Sequence, residues 1–180
     1  MVQAIMEIDR YKDTVSSLAD KADGKETVLN RSPEHAAVII SAIFKKSNQY
    51  VKIITSDLPD VAYGTADVIQ SALGFLGRND KSRIEIICEK DFDPKGSRLL
   101  SAINSNGFLD RVTLFRAPDS VQEVYTVHIV LGDGLHFRVQ ETREEYSAFA
   151  KFGDAERGLR LDDLFKTLKA HSQPLPISLS

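Results

Sequence analysis

The sequence holds one cysteine, Cys88, and no tryptophan among 180 residues. A single thiol excludes an internal disulfide and any cysteine-rich zinc site. Gly-rich phosphate loops and a Gly-x-Ser-x-Gly nucleophile elbow are also missing, which removes the commonest local signatures of nucleotide binding and serine hydrolysis. No apolar run approaches the roughly 18 residues that span a bilayer. The N-terminus lacks a cationic stretch followed by an apolar signal core, so the expectation is a cytoplasmic chain with no membrane partner. An excess of one charge is absent as well. Lys and Arg number 23 against 26 Asp and Glu, a net charge of −3. No overall basic field therefore draws nucleic acid to the surface, although Lys45, Lys46, Lys52, Arg78, Lys81 and Arg83 can form one basic edge. Internal repeats and low-complexity segments are not found. What is present is ordinary for a globular protein: 42% hydrophobic and 27% charged residues, enough chain for one core.

Residues 1–22 read as a helix, because Met1, Ala4, Ile8, Tyr11, Val15, Leu18 and Ala22 repeat in steps of three and four. Such a seam serves docking or dimerisation. With only three short heptads, docking on the chain's own domain is favoured over a free coiled coil. Asp23-Gly24-Lys25 then breaks the helix. In NRSPEHAAVIISAIFKK (30–46), Ser32 caps a helix and Pro33 takes its first position. VKIIT (51–55) is a strand. Thr65 caps a second helix that ends at Gly77, and RIEIICE (83–89) is the next strand. Pro94 and Ser97 introduce a helix carrying Leu99, Leu100 and Ile103, closed by Asn106-Gly107, before strand RVTLFRA (111–117). Helices between these strands imply parallel pairing through right-handed crossovers. The pattern then switches to VYTVHIVL and LHFRVQE, joined by Asp133-Gly134, the dipeptide of a two-residue type I′ hairpin. Thr142 with Glu145 offers a capping box, Asp154 caps a last helix, and the tail 173–180 is extended. The fold class is α/β: a mixed, mostly parallel sheet flanked by helices, with an antiparallel hairpin near the C-terminal end. The division is a helix 1–22, a domain 28–172 and the tail.

Two histidines flank the Asp-Gly turn. A two-residue turn pairs His128 with Val139 and Leu131 with His136. His128 then shares a face with Val130, Phe137 and Val139 and is a buried structural residue, while His136 takes the opposite face. Opposite faces argue against a joint metal site, and no metal or cofactor is expected. Asp91 and Asp93 follow a strand where α/β sheets place ligands, but turn and cap chemistry before Pro94 is the favoured reading. Cys88 within an apolar strand reads as an inert filler. Arg31, Ser32 and His35 at a helix start form a possible anion site.

The hairpin carries a resemblance. Phospholipase D-like proteins have His-x-Lys, four further residues and Asp on a strand entering a turn. With Asp133 on that aspartate, His128 takes the lysine position and Thr126 the position of the nucleophilic histidine. NRSPEHAAVIISAIF followed by VKIIT, and the segment FAKFGDAE (149–156), resemble bacterial domains of this superfamily that lack the catalytic motif. The resemblance spans roughly residues 30–170 and implies a phospholipase D-like fold. In the enzymes the histidine attacks phosphorus and the lysine stabilises the phosphoryl oxygens. Thr126 has no basic nitrogen, and the Gly-Ser-x-Asn segment that follows the family motif is missing. The resemblance therefore implies a relic site at Thr126, His128 and Asp133, more in keeping with a pseudoenzyme than an enzyme. It also implies a homodimer, because family enzymes bring two motifs together and this chain has one. The expected function is a non-catalytic binding or regulatory module in a bacterial cell, acting through an unknown protein partner or a retained anion pocket. Two alternatives stay open: a divergent phosphodiesterase or nuclease using His128 and Asp133, and a nucleic-acid-binding accessory protein.

Overall fold

Among the described residues, four helices begin at residues whose side chains replace missing backbone partners. Ser32 accepts from the His35 amide at 3.2 Å and Thr65 from Val68 at 3.4 Å. Ser97 accepts from Leu100 at 3.3 Å and Asp154 from Arg157 at 3.1 Å. Each cap satisfies one of the amides that a helix start leaves unpaired. The computed structural model describes residues 2–91, 93–122, 127–141 and 147–179. Met1, Thr126 and the capping box expected at Thr142 and Glu145 lie outside them.

In chain order the elements are α1 (Val2–Lys21), β1 (Val28–Asn30), α2 (Pro33–Lys46), β2 (Tyr50–Thr55), α3 (Asp60–Tyr63), α4 (Ala66–Arg78) and β3 (Arg83–Cys88). They continue with α5 (Arg98–Ser105), β4 (Val112–Arg116), α6 (Asp119–Gln122), β5 (His128–Gly132), β6 (His136–Gln140), β7 (Ala148–Phe152), α7 (Ala155–His171) and β8 (Gln173–Leu175). The strands form one eight-stranded sheet in the order β1-β7-β6-β5-β2-β3-β4-β8. Strands β2, β3 and β4 pair in parallel, and every other pairing is antiparallel. This is the mixed α/β sheet expected, but it is not mostly parallel: among the described residues two pairings are parallel and five antiparallel. The edge strand β1 and the following elements also differ from expectation. α4 runs one residue past Gly77. AFAKF, which carries the phenylalanines before the last helix, is strand β7. The tail supplies a strand too, β8, which covers β4 at the sheet edge.

The sheet has a core on each face. On one, Phe44, Phe75, Ile39, Ile40 and Leu100 from α2, α4 and α5 are fully buried against Ile53, Ile84 and Val130. Helix α1 joins this layer through Val15 and Ala19, both buried, so it docks on its own domain. On the other face, Phe165 and Leu168 of α7 pack on Leu131, Phe137 and Ile87. A buried ion pair pins α7 there: Lys52 Nζ of β2 lies 2.5 Å from Asp162 Oδ1, both side chains under a tenth exposed. Burial opposes the charge on Asp162, but hydrogen bonds from Lys166 and Lys52 outweigh it and hold the carboxyl below its ordinary range.

The hairpin corrects the expected register. Asp133 and Gly134 adopt left-handed conformations, with φ of 50° and 66°, and Leu135 N–H donates to the Gly132 carbonyl at 2.9 Å. That much is the type I′ geometry. Leu135, however, leaves the ladder, because its carbonyl accepts from the amides of Gly153 and Asp154 at the start of α7. Gly132 consequently pairs with His136, Leu131 with Phe137, Ile129 with Val139 and His128 with Gln140. One extra residue in the loop moves every later side chain to the other face. His128 and His136 therefore share a face with Val130, Arg138 and Gln140, not opposite faces. Four residues of strand still separate the two imidazoles, about 13 Å, too far for one metal ion.

Candidate functional site

The carboxyl end of β2 opens into a cleft of about 220 Å³. Thr55 and Ser56 leave β2 at its rim, Tyr63 of α3 closes one side, and His128, Arg138 and Gln140 reach in from the hairpin. Ala36 and Ile40 of α2 give it an apolar wall. Open α/β sheets bind ligands at this end, outside the carboxyl ends of parallel strands.

Each polar group in the cleft is held by a partner. His128, the first residue of β5, places Nε2 3.3 Å from Glu89 Oε2, with only 12% of the imidazole and 4% of the carboxylate side chain exposed. Glu89 is fixed in turn by its amide, which donates to the Thr55 carbonyl at 3.0 Å and extends the β3–β2 pairing by one residue. Arg138 is buried. Its Nε donates to Asn30 Oδ1 at 3.0 Å and its Nη2 to Gln140 Oε1 at 2.9 Å. The planar guanidinium thus ties β1 to β6 beneath the cleft. Burial pushes the Tyr63 phenol up to about 12, so it remains a neutral donor at physiological pH. A carboxylate against one imidazole nitrogen orients the ring. The arrangement can hold an anionic or polar group between His128 and Arg138.

The residues singled out in the sequence separate in space. Asp133 sits at the far end of β5 from His128, about 16 Å away along the strand. Its carboxylate accepts three amides of the segment entering β2: Asn48 at 2.7 Å, Gln49 at 2.9 Å and Tyr50 at 2.9 Å. His128 and Asp133 therefore do not converge, and the carboxylate beside His128 is Glu89. At the start of α2, Ser32 is engaged as the cap. Glu34 is held below its ordinary range by its own backbone amide and by Ser32, so the chain supplies its own anion at this terminus. The His35 ring stacks on Tyr11 of α1 with centroids 3.9 Å apart, and Arg31 is exposed. Asp93 caps a turn by accepting from Lys95, the role expected of it, whereas Asp91 makes an ion pair with Arg116 of β4 at 3.1 Å rather than a turn or cap bond. Cys88 is buried, and desolvation pushes its thiol up to about 12, as suits an inert filler. Among the described residues no group of His, Cys, Asp or Glu could hold a metal ion.

Sequence reasoning missed Glu89, Arg138, Gln140, Thr55 and Tyr63. A signal existed for Glu89, an acid immediately after the apolar strand IEIIC. Arg138 was also visible as a charge inside an otherwise apolar strand. Their convergence depends on the hairpin register and on β5 lying beside β2, neither of which is local.

No protein-family model and no curated protein sequence matches the chain. Solved structures do. Nuc, a phospholipase D family member from Salmonella typhimurium, superposes with a TM-score of 0.59 at 10% identity, covering 83% of this chain and 97% of that one. NucT from Helicobacter pylori gives 0.55 at 13% identity, over 83% of this chain and 99% of the other. TrmBL2, an archaeal chromatin protein described as having a novel mode of DNA binding, gives 0.55 at 8% identity. That match covers 96% of this chain and 64% of TrmBL2. The fold is phospholipase D-like.

Proposed function

We propose that this phospholipase D-like chain is a non-catalytic module of the bacterial cytoplasm that acts by binding, through a protein partner or through its polar cleft. The observation that carries this reading is the state of the residues at the motif positions. Threonine stands where the resemblance implies a nucleophilic histidine, and a hydroxyl cannot become a phosphohistidine. His128 replaces the lysine, and its Nε2 is already engaged by buried Glu89. Asp133 serves the backbone of the neighbouring loop. The framework is intact while its chemical groups serve structure. A homodimer that brings two such clefts toward a two-fold axis belongs to the same reading. Steady-state hydrolysis of a generic phosphodiester and of single- and double-stranded DNA tests it, with no turnover above the buffer blank expected.

One observation favours a second reading. A buried carboxylate orienting an imidazole, with an arginine lining the same cleft, is also how acid–base and nucleophilic sites are built. A divergent phosphodiesterase on this chain would use His128 with Glu89 and leave Asp133 aside. Turnover that disappears in His128→Ala would establish it over the non-catalytic reading.

A further inference from the structure

The end of the sheet opposite the cleft carries a charge arrangement that neither reading uses. Where β2 and β3 begin, the polar residues Asn48, Gln49, Tyr50 and Asn79, the cations Lys52, Lys81 and Arg83 and the acids Asp80 and Glu85 line a broad groove of about 910 Å³. Arg78 and Lys45 continue it along α4 and the end of α2. The acids nearby are engaged: Asp133 by the amides of Asn48, Gln49 and Tyr50, the others by cations. Asp80 pairs with Arg111 at 3.4 Å, Glu85 with Lys169, and Asp67 with Lys12 at 3.2 Å. Lys52 is spent on Asp162, and Lys46 on Asp20 at 2.5 Å, so both leave the edge expected from sequence. Lys45, Arg78, Lys81 and Arg83 remain, all exposed and none with a carboxylate partner among the described residues.

These cations are placed by the fold. The Arg78 guanidinium donates to the carbonyls of Ser47 and Lys45, Asn79 Nδ2 donates to the Asn48 carbonyl at 2.7 Å, and Arg83 Nη1 donates to the Asp80 carbonyl at 2.7 Å. Such bonds consume some donors but none of the charge. Between the cations lie the exposed amides of Asn48, Gln49 and Asn79, and Tyr50 is half-buried in the floor. A row of cations spaced by amides, with an aromatic ring beneath, suits a strand of alternating phosphates and flat bases. That local field exists on a chain whose net charge is −3.

We propose that this groove binds single-stranded nucleic acid through its phosphate backbone, at a site separate from the cleft of His128. The site does not depend on whether the cleft is catalytic. Phosphate neutralisation releases counterions, so affinity falls linearly with salt on logarithmic axes, with a slope of about −0.7 per contact for single strands.

The test is fluorescence anisotropy of the full chain with a labelled single-stranded oligonucleotide of about twenty nucleotides, titrated across a salt series. Lys81→Ala/Arg83→Ala should weaken binding roughly tenfold at low salt and make the slope shallower by about 1.4, two contacts' worth. Lys45→Ala should do so by half as much, and His128→Ala should leave both affinity and slope unchanged. All three positions altered in the groove are exposed, and an unchanged unfolding curve confirms that the fold survives. Absence of binding at low salt overturns the proposal. So does binding that ignores the double substitution, or binding lost in His128→Ala with the groove intact, which would move the contact to the cleft.

Discussion

Asp133 accepts three amides from the loop entering β2 while occupying a left-handed backbone conformation itself. Asp→Ala removes the acceptor and places alanine where short polar side chains are better tolerated. The expected cost of Asp133→Ala is about 2–3 kcal/mol, with Asp133→Asn milder because one oxygen and the backbone tolerance remain. Urea unfolding of the two variants measures it, and equal midpoints for wild type and Asp133→Ala would contradict the bracing role. His136 offers a second residue-scale prediction. Its ring is buried, and Nδ1 has no hydrogen-bond partner among the described residues. Burial lowers its pKa, Asp133 opposes that shift and Lys46 adds to it. A folded-state pKa below the unfolded value means that the unfolded chain binds the extra proton as the solution is acidified. The contribution of neutral His136 is therefore complete above about pH 6.5 and is lost as pH falls through the depressed folded pKa. His136→Phe should flatten stability between pH 5 and pH 7 (about the range where only histidines titrate). Thermal unfolding over that range shows whether it does. Sequence made the chemistry of both residues visible. It could not show their surroundings, because one looped-out residue, Leu135, decides which face every side chain of β6 takes.

At the scale of elements, α7 is tied to the sheet by Lys52 and Asp162, and Gly158 brings it hard against the hairpin turn. A Cβ on Gly158 would stand 1.9 Å from the Gly134 carbonyl oxygen. Removing one member of a buried pair strands the other charge, so Asp162→Ala should cost about 3 kcal/mol. Lys52→Met/Asp162→Leu should recover much of that, because the paired charges are replaced together. Recovery no better than that of the single variant would contradict the account, and chemical denaturation reads the difference. The helices were the legible elements. Ser32, Thr65, Ser97 and Asp154 announce their starts through chemistry confined to one turn, and the apolar periodicity follows. β1, β7 and β8 were not legible. The first and last are three residues long, β8 contains Pro174, and their pairing partners lie far off in sequence. Helix α1 read as a docking or dimerisation seam. Val15 and Ala19 bury it on the domain, and its Tyr11 both stacks on His35 and donates to the Leu29 carbonyl at 3.0 Å.

At the scale of the whole molecule, the phospholipase D-like fold was readable from the order of strands and helices and from the resemblance carried by the hairpin. The cleft was not, because its members come from α2, β2, α3, β5 and β6. The proposed dimer is checked by light scattering at micromolar concentration: a two-chain mass is expected, and a monomer would remove it. Because α1 docks on its own domain, deleting residues 1–22 exposes the surface around Ala42 and should lower stability regardless of assembly state. The central claim is that the framework has outlived its chemistry. Single-turnover hydrolysis, with the protein in molar excess over end-labelled DNA and over a chromogenic phosphodiester, tests it most directly, because one reaction per molecule is then detectable. The account predicts substrate that stays intact with wild type and with His128→Ala alike. Cleavage by the wild-type chain that His128→Ala abolishes would contradict it.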